Sequence, residues 1–118
     1  MGLGANLGRL MLLIGRKHDS QFKLQLITEK RLFLANRAAF AMQVQARVPG
    51  NLETEKYNSD PNVRWAQQVN AEVAQIDKML EMEQKRVDIE LQAITQEISG
   101  VEKLAQQETQ TFKYGGVG

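Results

Sequence analysis

The sequence predicts an all-α fold: an elongated helix–loop–helix hairpin with a long coiled-coil-like second helix and an apolar, glycine-rich N-terminal segment. Three observations predict it. The first is an apolar stripe in the second half of the chain: Val69, Val73, Ile76, Leu80, Gln84, Val87, Leu91, Ile94, Ile98, Val101 and Ala105. Its steps alternate between three and four residues except for two successive fours around Leu80, close to the spacing that holds one narrow helix face against a partner. The second is the lack of breakers. Between Pro61 and Gly115 there is no further proline, and Gly100 is the only glycine. A helix from Asn62 to Phe112 would be roughly 75 Å long at 1.5 Å rise per residue, and needs a partner helix along that length. The third is a pair of turn signals, Pro49-Gly50 and Asp60-Pro61, which bracket a polar stretch between two helical patterns.

The elements follow in chain order. Residues 1–15 form an apolar assembly segment. Its glycines stand at positions 2, 4, 8 and 15, and Leu3, Leu7, Leu10, Met11 and Ile14 recur at helical spacing. Each interior glycine costs about 0.5–1 kcal/mol relative to alanine. The segment is therefore expected to gain order by docking, with its small residues allowing close approach. Helix 1 spans 16–48, with Asp19 and Ser20 as caps if the helix breaks at Gly15. Phe22, Leu26, Phe33, Phe40 and Val44 share a face, which Leu24, Ile27, Leu34, Ala38, Ala41 and Met42 widen beyond the needs of a two-stranded seam. Pro49 and Gly50 end this helix, and residues 49–61 form the connector. Ser59 or Asp60 then caps helix 2 (62–113), with Pro61 in its first turn, where a missing N–H costs nothing. Trp65 is expected to pack against the end of helix 1. Residues 114–118 form a glycine-rich tail.

Composition narrows the function. The 118 residues carry a net charge of +1, which hides a segregation: residues 1–50 sum to +6 and residues 51–118 to −5. Such halves attract when packed antiparallel or against a neighbouring copy. With no cysteine, neither a disulfide nor a thiolate metal site can form, and the single His18 cannot build a histidine site. His18 has no nucleophile beside it. Glu81, Glu83, Lys85 and Arg86 read as a solvated helix face. The sequence therefore predicts no enzyme, cofactor, metal or small-molecule substrate. The basic residues of the first half alternate with large apolar ones and lack an aromatic platform, so nucleic acid is not an expected partner. The apolar run Leu10–Ile14 is too short to span a membrane, so membrane contact is secondary. No cleavable secretory signal is evident either, so export would proceed without one.

Asn58-Ser59-Asp60-Pro61 leading into Val63, Trp65, Gln68 and Val69, together with the ending Gln110-Thr111-Phe112-Lys113, resembles the needle, inner-rod and flagellar axial subunits of type III secretion systems. The resemblance covers about half of the chain. It implies a turn joining two helices, an aromatic near the chain end at a subunit contact, and a filament or cell-surface appendage with secretion-apparatus proteins as further partners. The chain departs from that pattern in being longer than needle subunits and in its apolar N-terminus.

The expected function is thus that of a structural homo-oligomer, assembling into a helical filament or tube. The alternatives are a discrete coiled-coil adaptor or secretion chaperone, in the cytoplasm, and a membrane-surface binder. Self-assembly is assigned to Leu3, Leu7, Leu10, Met11, Ile14, Phe22, Phe33, Phe40 and Phe112. Packing of the helix seam is assigned to Val69, Val73, Ile76, Leu80, Val87, Leu91, Ile94, Ile98 and Val101.

Overall fold

The computed structural model describes residues 2–115, with side chains for residues 2–110. The Phe112 side chain and residues 116–118 of the tail lie outside the described residues. The order is α1 (Leu3–Ala46), α2 (Thr54–Ser59) and α3 (Pro61–Gly115), with no strand among the described residues. The fold is an all-α helical hairpin in which α1 and α3 supply antiparallel arms to each of two compact units. One unit comprises Met1–Gln25 with Lys85–Gly118, the other Leu26–Gln84.

α1 differs from the sequence expectation in one respect. It does not break at Gly15 but runs unbroken from Leu3, through Gly4, Gly8 and Gly15. Glycine weakens a helix but keeps its N–H and carbonyl in the hydrogen-bond ladder, so it does not stop one. Burial of the neighbouring Leu13 offsets the cost. Nor do these glycines serve close approach within the chain: a Cβ placed on Gly4, Gly8 or Gly15 meets nothing within 4 Å.

The inward face of α1 follows a strict heptad. From Leu3 to Ala41 its buried or half-buried positions are Leu3, Asn6, Leu10, Leu13, Lys17, Ser20, Leu24, Ile27, Arg31, Leu34, Ala38 and Ala41, at steps of three and four. Knobs at that spacing stay in contact with one partner face. In the first unit, Leu13, Ile98 and Val101 form the core, with Leu10 and Ile94 packed against it. In the second unit, Ile27, Leu34, Ala41 and Val48 face the buried Val63, Ala66, Val69, Val73 and Leu80.

The connector contains a helix that the sequence does not announce. α2 has six residues, none of them buried. The Tyr57 hydroxyl ties it to α1 by accepting a hydrogen bond from Gln45 Nε2 at 3.1 Å. Asp60 then takes extended geometry (ψ 128°), as the residue before a proline must. Its Oδ1 accepts the Asn62 N–H at 2.8 Å, capping α3 one residue before Pro61.

Two neighbouring leucines test the inward face. Leu13 is 3% exposed and Leu12 is 62% exposed. Leu13→Ala is expected to cost about 2–5 kcal/mol, and Leu12→Ala less than about 0.5 kcal/mol, in urea unfolding followed by circular dichroism. Gly15→Ala, whose new methyl enters open space, is expected to raise stability by about 0.5–1 kcal/mol in the same measurement.

Candidate assembly surfaces

Within Leu26–Gln84 the two arms are keyed by a polar layer. Arg31 Nε donates to Asp77 Oδ1 at 2.8 Å and Nη2 donates to Asp77 Oδ2 at 3.2 Å, while Nη1 donates to Gln84 Oε1 at 2.7 Å. One planar guanidinium thus grips two α3 side chains seven residues apart, using the fork geometry that suits arginine to a carboxylate. About a third of each charged side chain meets solvent (32% and 36%). The Asp77 carboxyl lies below its ordinary pKa because Arg31 hydrogen-bonds to it, with the guanidinium charge adding to this and desolvation opposing it. The Arg31 pKa is raised by the same hydrogen bond and by the charges of Asp77 and Glu81, again against desolvation.

Asp77 takes the place on α3 that hydropathy assigns to Ile76. Ile76 is 46% exposed, and Asp77, one residue on, faces α1 through Arg31. The two successive steps of four in the stripe consequently fall at Val69–Val73–Asp77 rather than around Leu80. In the remainder of the stripe, Val87, Ile98, Val101 and Ala105 are buried and Leu91 and Ile94 half-buried.

The side chains assigned to self-assembly divide. Leu3 and Leu10 are half-buried on the inward face of α1. Leu7, Met11, Ile14, Phe22, Phe33 and Phe40 are exposed. In the second unit, Leu26, Phe33 and Phe40 recur every seven residues and form a ridge beside Ile76 and Trp65. Phe40 and Trp65 meet edge to face, with ring centroids 6.0 Å apart, a favoured aromatic geometry. A groove of about 440 Å³ lies along the ridge, lined by Leu26, Glu29, Lys30, Phe33, Leu34, Ile76 and Leu80.

The opposite flank of the seam is a second groove of about 570 Å³. Thr28, Leu32, Ala35 and Ala38 of α1 line it with Asn70, Val73 and Ala74 of α3, and Arg31 and Asp77 cross it. Large rings therefore stand on one side of this unit and small side chains on the other. Arg9, Arg16, Lys23, Lys30 and Arg37 also recur every seven residues along α1. In the first unit, Arg16 and Lys23 share a groove with Glu90 of α3, so oppositely charged halves meet there.

Sequence reasoning missed Arg31, Asp77, Leu13 and the small-residue groove. The heptad through Leu24, Ile27, Leu34 and Ala38 has a vacancy at Arg31, and that vacancy was the available signal. Among the described residues no group of three or more His, Asp or Glu side chains could hold a metal ion. No helix of the described residues is long and apolar enough to cross a membrane. Comparison with protein families, with curated proteins and with solved structures finds no match to this chain.

The polar layer makes acid stability a measurable property. Because the Asp77 pKa is lowered by folding, its stabilising contribution is complete above the unfolded carboxylate value of about 3.9 and is lost as pH falls through the folded value. Thermal unfolding measured between about pH 2 and pH 5 is expected to show this loss in the parent chain. Asp77→Asn should be less stable at pH 7, with a shallower dependence in acid.

Proposed function

We propose that the protein is a structural subunit that assembles with copies of itself into a helical filament or tube, in the manner of the type III secretion and flagellar axial subunits it resembles. The observation that carries this reading is the second apolar face of α1. A two-helix hairpin needs one inward stripe per arm, and Leu13, Ile27, Leu34 and Ala41 supply it. Leu26, Phe33 and Phe40 are surplus to that need and face water. Large apolar side chains exposed together along one face mark a site of association.

Association through unlike faces does not close on itself and produces fibres. The ridge and the groove on opposite flanks of Leu26–Gln84 are unlike in this sense. The chain acts through packing and carries out no reaction. Its place is outside the cell or on its surface, and proteins of a secretion apparatus would be further partners.

Light scattering over a concentration series, with negative-stain microscopy, tests the reading. Mass that grows with concentration and filaments of uniform width are expected. A single small mass at every concentration and salt would identify a discrete coiled-coil adaptor and end the filament reading.

A further inference from the structure

We propose that the outward face of the first turns of α1 docks on an anionic lipid bilayer, lying in its interface rather than crossing it. This face belongs to the first unit and is independent of the ridge on which assembly is argued. Over residues 2–15, α1 is apolar on both sides. Inward it buries Leu13, with Leu10 packed against the same core. Outward it shows Leu7, Met11, Leu12 and Ile14, with Met11 74% exposed. The remaining exposed positions there hold only glycine, alanine and Arg9. A helix that is apolar all round is one that becomes covered on both sides, and the chain itself covers only one. Apart from Arg9 and Arg16, the first exposed polar side chain of α1 is His18.

Charge and chemistry decide what covers the other side. Residues 1–18 contain no acid. Arg9 and Arg16 stand together at one edge of the apolar arc, about 20° apart around a helix of 3.6 residues per turn. Asp19 and Glu90 line a groove with Arg16. Even so, neither Arg9 nor Arg16 makes an ion pair or a side-chain hydrogen bond among the described residues. Both guanidiniums are therefore open to phosphate, which they can grip with paired N–H groups. An arginine on such an edge lays its stem along apolar surface and keeps its charge at the headgroups, as in helices that lie in a bilayer interface. A protein partner fits less well. Protein interfaces carry about ten hydrogen bonds, and the exposed side chains of this face offer none besides those of the two guanidiniums. A second copy placed face to face would set these arginines against their like, which is repulsive. The stretch Leu3–Ile14 reaches about 18 Å, short of the roughly 30 Å of a hydrocarbon core, so it lies along the surface.

Flotation of the full chain tests this. The chain is mixed with phosphatidylcholine vesicles, with or without phosphatidylglycerol, and spun through a sucrose gradient, in which vesicle-bound chain rises and free filaments sink. The parent is expected to rise with the anionic vesicles and to stay behind with the neutral ones. Met11→Asp with Leu12→Asp, at two exposed positions, should abolish flotation at unchanged helicity. Arg9→Gln with Arg16→Gln should weaken partition onto the anionic vesicles roughly thirtyfold, at about fivefold per cation. The arginine pair decides the matter if the aspartates disturb the fold. A parent that fails to rise, or rises equally with neutral vesicles, would overturn the proposal, as would undiminished flotation of either variant pair. Self-association lost in the aspartate pair, with a parent that ignores vesicles, would assign this face to a second copy instead. Filaments formed by a parent that does not float would leave the assembly reading standing, and flotation of a chain that never polymerises would leave the docking standing alone.

Discussion

A seam with a strict seven-residue repeat has a degeneracy built into it: slide one helix by two turns and apolar side chains meet apolar side chains again. Within Leu26–Gln84, Arg31 removes that freedom. Its guanidinium reaches Asp77 and Gln84 at once, and a slip of α3 by one heptad would put Gln84 or Asn70 where Asp77 must stand. Apolar contacts supply the attraction, but they are tolerant of sliding. A polar residue at a single core position selects one register among several, at a cost in stability. The side chains beyond the layer depend on that choice. In this alignment Leu34 shares a groove with Leu80 and Ile76, and Phe40 meets Trp65.

The same helix carries two seven-residue patterns with different purposes. One runs inward through Leu13, Ile27, Leu34 and Ala41 and shrinks from leucine to alanine toward the connector. The other runs outward through Leu26, Phe33 and Phe40 and carries the bulk. A chain that is 42% hydrophobic yet has only two arms cannot bury all of that surface against itself. What remains outside follows a pattern that helical periodicity imposes, so the exposed surface has an order of its own.

Different parts of the fold were legible in the sequence to different degrees, and the differences have physical causes. Turn chemistry is local. Pro49-Gly50 and Asp60-Pro61 could be read directly, and Asp60 caps α3 through its own side chain. The stripe from Val87 to Ala105 was legible because hydropathy and spacing agree there. At Ile76 and Asp77 they disagree, and hydropathy points to the wrong residue: a charged side chain that finds an arginine can occupy a seam, and a single chain of letters does not show the arginine. On α1 the aromatic residues outweigh the smaller Ile27, Leu34 and Ala41, so the face with the largest side chains looks like the inward one. Gly15 looked like a break because its propensity is poor, but propensity is a weak prior once Leu13 is anchored in a core. The candidate surface was half legible. Phe33 and Phe40 stand out by size, whereas a groove made by Thr28, Ala35 and Ala74 is defined by what is missing.

Trp65 is the only tryptophan in the chain and lies against Phe40 at the end of the ridge, 40% exposed. An indole half in water emits at a wavelength set by the polarity around it. The chain's tryptophan fluorescence therefore originates at one end of the aromatic ridge. The protein carries a built-in optical gauge of whether that surface is wet or covered, and it needs no label to be read.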